Sequence, residues 1–455
     1  MTVVERVRIG RGGTGRGGSG SGGPAARAAQ DLLRVARLFA VTGRVAGPAV
    51  GAAVRHRVAG RRREAARTLY HAAPVLLARL GATFIKAGQV LATRRDILPP
   101  ALCDQLGTLH DDVPATSAAH TARMLREAYG DDLHVLFPHV ELTPVAAGSI
   151  ACVHRAVDQQ GRTVALKIRR PNIDRLMARD LRLMRRGAAL AARLPAFAGL
   201  PVTEIVGQMC DAVAGQVDFR AEADSLHRLR HNLSGVARVW VPAVRQELCR
   251  DTVIAMEFIE DLDGDARSVA PVMRKKFAES ALISIYHMLF VDGFVHCDMH
   301  PGNLNFTPRG QVVVLDAGFS VQLTDRLRRL FAEFFMNMAV GRGTRCAEIV
   351  VESATGLSPT ADVDGFLERM ADLVRRNHGL PAKEFSLMGF ATEMFDLQRT
   401  HGVHAAPELI FPLLSLLVIE GTIRELHPGI DFQETAKPVI NRGLWSAQRP
   451  GTGRN

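Results

Sequence analysis

Between His296 and Asn303 the chain reads His-Cys-Asp-Met-His-Pro-Gly-Asn, and after the apolar run from Val312 to Leu315 it continues Asp316-Ala317-Gly318. Two carboxylates and an amide at this spacing suit phosphoryl transfer. Asp298 would orient or deprotonate an acceptor, while Asn303 and Asp316 would hold Mg²⁺. Upstream, Thr163-Val164-Ala165-Leu166-Lys167-Ile168 alternates like a strand. With Val164, Leu166 and Ile168 on one face, Lys167 projects from the other, where it would meet the α- and β-phosphates of ATP. Each residue alone has a plain structural reading, Lys167 as an exposed strand lysine and Asp316 as a turn former before Gly318. Their joint order and spacing point to a site. His296, Asp298 and His300 also form an alternating set of metal-ligand types, but no further ligands accompany them.

Such residues need rigid elements behind them. Cys152–Val157 and Thr163–Ile168, separated by Asp158-Gln159-Gln160-Gly161, read as a hairpin. Further strands are expected at Val239–Val244, Val253–Phe258 and Gln311–Leu315. A helical pattern over Ala281–Val291 ends at Gly293, so the H-x-D-x-x-x-x-N loop falls between a helix and a hairpin, the context this loop has in protein kinases. Before Thr143 the periodicity is helical, from about Ala28 to His71, then Ala73–Ala92 and Thr116–Tyr129. The expected order is an α+β, bilobal protein-kinase-like fold: a Gly/Arg-rich disordered tail over 1–27, a helical extension over 28–142, a small β-rich lobe over 143–262, a large helical lobe over 263–445, and a tail over 446–455.

The chain has 455 residues, long enough for two lobes, and 47% of them are hydrophobic. Its six cysteines form no C-x-x-C pair, which argues against a disulfide framework or a zinc ribbon and favours a reducing, cytoplasmic setting. The net charge of +11 lies in residues 1–70, where fourteen arginines face three acids. The helical pattern there sets Arg34, Arg37 and Arg44 in one stripe beside Leu32, Leu33 and Phe39. Such a basic amphipathic stretch suits an anionic membrane surface as readily as plain solvent. No signal peptide and no transmembrane run is expected.

Four separated motifs resemble the UbiB/AarF kinase-like family. Phe84-Ile85-Lys86-Ala87-Gly88-Gln89, running on through Thr93-Arg94-Arg95-Asp96, is similar to its K-x-G-Q motif. Ala146-Ala147-Gly148-Ser149 is similar to its Ala-rich nucleotide loop, Gln216-Val217-Asp218-Phe219 to its E-x-D segment, and His296–Asn303 to its catalytic loop. The resemblance implies that Lys167 pairs with Glu222, that Asn303 and Asp316 bind Mg²⁺, and that Glu257 and Phe258 form a hinge against adenine. It further implies an extension bearing Lys86, Gly88 and Gln89, folded over the place where a protein substrate would dock. An ATPase or a small-molecule or lipid kinase supporting isoprenoid quinone (ubiquinone or menaquinone) biosynthesis or lipid homeostasis is the implied biology.

Three positions depart from the pattern. Gln216 replaces the first acid of E-x-D. Gly148 replaces an alanine, and the freedom of glycine to adopt positive φ suggests a loop that approaches phosphates more closely. Ala317 stands where a Phe usually follows the metal-binding Asp, with Phe319 nearby to fill the volume. Gln216 and Ala317 keep a nucleotide-binding pseudokinase scaffold in play as the alternative. Nucleic-acid binding through the Arg/Gly tail is disfavoured, because only Phe39 and Tyr70 supply aromatics in residues 1–71.

Overall fold

The computed structural model describes residues 24–92, 94, 98–109, 115–193, 202–300, 302–380, 383–404 and 406–446. Most of the expected N-terminal tail, Thr93, Arg95 and Asp96 of the K-x-G-Q segment, Pro301 of the expected catalytic loop, and residues 447–455 lie outside these. Pro24 to Arg27, expected as tail, instead begin a helix.

That helix, α1 (Pro24–Val58), turns at Gly60, whose φ is 76°, and packs against α2 (Arg62–Leu80). The single helical pattern expected to His71 is therefore a hairpin of two. Gly81, with φ of 114°, separates α2 from α3 (Ala82–Ala92), so the run expected as one helix over Ala73–Ala92 is also broken. L-residues with a Cβ avoid that backbone region, and glycine supplies both turns.

The small lobe is a five-stranded antiparallel sheet. It comprises β1 (His139–Val140), β2 (Ala146–Ala147), β3 (Ala151–Val157), β4 (Thr163–Arg169) and, after β5 (Val239–Trp240), β6 (Val253–Glu257). The order is β1-β3-β4-β6, with β2 also on β3. Lys167 on the central β4 sits opposite Val153 and Ile254. The expected alternation is borne out: Val164, Leu166 and Ile168 are buried against Met124, Tyr129 and Phe137, which leaves Lys167 facing the other way. Strand β5 stops at Trp240, short of Val244, because Ala243 leaves the ladder to exchange hydrogen bonds with Glu257, whose amide donates to the Ala243 carbonyl at 2.8 Å. Short β5 joins the lobes by pairing parallel with Val312–Val314.

The large lobe is helical. The helix Pro271–Tyr286 passes into a π-helical turn over His287–Asp292, which Gly293 ends in the left-handed conformation at φ 64°. Buried Arg328 donates to the Phe290 carbonyl at 2.8 Å and to the Gly443 carbonyl at 3.2 Å, which ties the last helix, Phe432–Ser446, to that turn. The result is a mostly helical α+β fold of kinase-like, bilobal form. Among the described residues no helix is long and apolar enough to cross a membrane.

Candidate active site

Strand β4 and the helix Phe219–Asn232 bring Lys167 and Glu222 together, and the loop after Val312–Val314 brings Asp316 to both. Lys167 Nζ lies 2.5 Å from Glu222 Oε1 and 2.9 Å from Asp316 Oδ2. One ammonium thus faces two carboxylates in a site where water screens poorly. Burial would lower the Lys167 pKa, but Asp316 and Glu222 hold it above the ordinary lysine range. Glu222 is pushed up to about 7 by burial and then by the Asp316 charge, against the pull of Lys167. Burial opposes ionisation of Asp316 as well, yet Lys167 and the Gly318 amide hold it well below the usual carboxylate range. The Asp316 side chain keeps 40% of its surface, so water shares in that stabilisation.

Asp316 has φ of 53°, a left-handed conformation that costs a non-glycine residue energy and collects at functional sites. The Gly318 amide donates to Asp316 Oδ1 at 2.8 Å, and a Cβ on Gly318 would stand 3.3 Å from that oxygen.

Behind the loop His296–Asn303, fully buried His296 accepts from the Asp298 amide at Nδ1 (3.1 Å) and meets the Leu315 carbonyl at Nε2 (3.1 Å). Burial lowers its pKa, which fixes a neutral ring with the proton on Nε2. Both nitrogens are spent on the backbone, so His296 is no metal ligand. Asn303 donates from Nδ2 to the Asp298 carbonyl at 2.8 Å, which leaves its amide oxygen as the donor atom for a cation. Burial pushes the Cys297 thiol up, and its Sγ donates to the Val295 carbonyl at 3.4 Å.

A cleft of about 650 Å³ collects nearly all of the predicted residues: Lys86, Ala146, Ala147, Gly148, Ser149, Lys167, Glu222, Glu257, Phe258, Asp298, Asn303 and Asp316. Gln216 and Phe319 line it as well. Three predicted residues do not. Gln89 donates from Nε2 to the Leu109 carbonyl at 3.1 Å, and Gly88 lets α3 close on Leu77 and Leu109. Asp218 caps the helix Phe219–Asn232, accepting from the Ala221 amide at 3.1 Å. At Gly148 the expected positive φ is absent, and a Cβ there would meet only the Ala151 carbonyl at 3.7 Å. Its conformational freedom is therefore unused.

The Arg34 stripe also changes. Arg34 turns inward to Asp180, at 2.8 and 2.6 Å, and leaves Arg37 and Arg44 exposed. Buried Arg94 donates to Gln208 at 3.1 Å and lies 5.8 Å from the Phe411 ring centre, and Phe411 packs edge-on at 5.1 Å against Phe319. Sequence reasoning missed Ser415, which donates to the His296 carbonyl at 2.8 Å from a helix more than a hundred residues away. No local pattern marks it.

Comparison with known proteins agrees with this geometry. The ABC1 atypical kinase-like domain matches residues 108–350, and the UbiB helical domain matches residues 370–431. The chain is 32% identical to a protein of Aeromonas hydrophila named Probable protein kinase UbiB, over 82% of this chain and 69% of that one. The chain belongs to the UbiB family. A UbiB relative of Glaesserella parasuis bearing the same name is 33% identical over 81% of this chain and 69% of its own. A solved structure described as the complex of Rv3197 with erythromycin, from Mycobacterium tuberculosis, superposes with a TM-score of 0.55. It covers 85% of this chain and 98% of that one at 20% identity, a likeness of fold. Of the expected departures from the family pattern, Gln216 lines the cleft and Ala317 is buried in the turn after Asp316.

Proposed function

We propose that this UbiB-family chain binds ATP with Mg²⁺ in the cleft between the lobes and either hydrolyses it or passes the phosphoryl group to a small or lipid-like acceptor. The observation that carries this reading is the Lys167–Glu222–Asp316 triangle facing Asp298 and Asn303 across one cleft. Its donor set fits a divalent cation. Two carboxylates against one ammonium leave excess negative charge, and the oxygen of Asn303 is the free end of its amide. Bound Mg²⁺ would bridge phosphate oxygens and neutralise charge that develops on them. Lys167 would hold the nucleotide phosphates, and Asp298 would orient the acceptor or the water. The Glu257 amide is already bonded to Ala243, so adenine recognition falls on the following residues, Phe258 and Ile259.

Lys86 on α3 forms part of the cleft wall, and an extension in that place disfavours a polypeptide acceptor. The UbiB relatives suggest support of ubiquinone biosynthesis, with a quinone precursor as acceptor or partner. A peripheral membrane contact fits the outward side of α1, where Leu33, Phe39, Val50 and Val54 are exposed beside Arg37, Arg44 and Arg55.

A nucleotide-binding scaffold without turnover is the second reading, favoured by Gln216 in the cleft wall. Phosphate release with and without anionic vesicles separates the two. Asp316→Asn is expected to cut Mg²⁺-dependent nucleotide binding by about a hundredfold while the protein stays folded, and Asp298→Asn is expected to remove turnover but keep binding. Turnover that survives Asp298→Asn would overturn the assigned role. Unchanged binding in Asp316→Asn would remove the metal site.

A further inference from the structure

Beside the cleft lies a second, open groove of about 900 Å³. It forms where the N-terminal ends of two helices, Ala118–Tyr129 and Ile173–Ala191, meet the start of α3 at Ala82. Neither helix end is capped by its own N-cap side chain. The Ser117 hydroxyl bonds His120 Nδ1 at 2.7 Å instead, and Asn172 makes no side-chain capping bond. The amides of both first turns therefore lack that acceptor, and each helix end carries partial positive charge.

Side chains add to that charge. Arg170, Arg175 and Arg179 line the groove with His120, and among the described residues no acid lines it. Asp31 meets Arg179 at 3.2 Å from outside the lining, and Asp174, in the first turn of the second helix, is engaged by Arg169 at 3.4 Å. Arg175 is exposed and forms no ion pair among the described residues. Three guanidiniums against one carboxylate leave a surplus of positive charge. Ser149 stands on the wall that the groove shares with the cleft. It is 1% exposed, and its hydroxyl has no partner among the described residues.

We propose that this groove binds the phosphate or diphosphate group of a larger molecule. The charge selects an anion, and guanidinium forks match phosphate oxygens two at a time while uncapped helix ends supply backbone donors. The volume far exceeds that of a free phosphate ion, and Pro171, Ile173 and Leu176 offer an apolar side for the rest of the molecule. Lys167, Glu222, Asp298, Asn303 and Asp316 are all absent from its lining, so it is a second site and not an arm of the cleft. The two meet at the loop Ala146–Ser149. Arg170 donates from Nε to the Gly148 carbonyl at 2.8 Å and from its amide to the Ile150 carbonyl at 2.8 Å. An anion held by Arg170 would lie one hydrogen bond away from that loop.

The test titrates the full chain calorimetrically with pyrophosphate in EDTA, which leaves no Mg²⁺ to hold the probe in the cleft. Saturable binding that weakens with added salt is expected. Arg175→Glu should lose about tenfold or more in affinity. A glutamate in a first helical turn is favourable, so this variant keeps its fold. Arg186→Glu, farther along the same helix and outside the lining, makes the same change in net charge and should bind as the wild type does. Both variants should titrate Mg²⁺-ATP unchanged, which separates this site from the nucleotide reading. A lipid head as the source of the phosphate would show as sedimentation with phosphatidylcholine vesicles that requires phosphatidic acid, is lost in Arg175→Glu and is kept in Arg186→Glu, without pyrophosphate binding. Binding of neither probe, equal losses in the two variants, or a parallel loss of Mg²⁺-ATP affinity in Arg175→Glu would each overturn the proposal.

Discussion

Glutamine at position 222 tests the electrostatics of the site most directly. Lys167 faces two carboxylates, and Glu222 is the one that is almost fully buried, with Oε2 lacking a partner among the described residues. Its pKa rises from 4.5 to about 7 on folding. The folded protein therefore holds that proton more tightly than the unfolded chain does. The stability linked to it is fully present below the unfolded value and is lost as pH rises through the folded one. At about 1.4 kcal/mol per unit, the loss amounts to about 3 kcal/mol. Glu222→Gln keeps the shape and an acceptor for Lys167, removes the surplus charge, and leaves Lys167 paired with Asp316. The variant should match the wild type near about pH 4 and exceed it by about 3 kcal/mol near about pH 8. Pulse proteolysis across a urea series at several pH values reads the opening of the small lobe. A stability difference that does not change with pH, or a variant less stable than the wild type near about pH 8, would refute the charge accounting.

Further outcomes are expected elsewhere. Gly148→Ala should leave the melting temperature within experimental error, because φ there is ordinary and a Cβ fits 3.7 Å from the Ala151 carbonyl; a large loss of stability would contradict that geometry. With the fold intact, nucleotide titration of this variant isolates the effect of a methyl group on phosphate approach, and unchanged affinity and turnover would discard the idea that glycine improves ATP binding. Gly88→Ala should cost about 1–3 kcal/mol by overpacking, since its Cβ would stand 2.7 Å from Leu77 Cδ1 and also press on Leu109; chemical denaturation measures it. Leu33→Glu with Phe39→Glu, both on the outer side of α1, should reduce sedimentation with anionic vesicles about tenfold or more and leave ATP titrations unaltered. Equal sedimentation would exclude α1 as the contact.

Much of the site is legible in the sequence because its geometry is local. A strand of period two fixes where Lys167 points, and a short loop followed by a strand fixes the separation of Asp298, Asn303 and Asp316. Strand β4 and Gly293 follow the same local logic. What sequence could not show rests on distant partners. Arg34 reads as one more surface arginine until Asp180, 146 residues away, draws it inward. Ser415 has no motif around it, and β5 ends early only because Glu257 claims Ala243. Gly148 is the opposite case: its type suggested a special backbone, yet its surroundings require none. Asp218 carried a cap signal, an acid just before a helical run, that reading it only as part of a family motif obscured.

The chain of contacts from Arg94 through Phe411 to Phe319 has a thermodynamic corollary. Arg94 follows α3, and Phe319 follows the turn that bears Asp316, so lifting the extension and loosening that turn are not independent events. Linkage is reciprocal: if nucleotide protects residues 82–94 from proteolysis by some factor, displacing those residues must weaken nucleotide by the same factor. A ligand that enters by moving the extension would then be opposed by bound nucleotide, unless it restores part of that energy through its own contacts. Under the proposed function, this coupling would make selection among acceptors a matter of which molecule can open the door with nucleotide already inside.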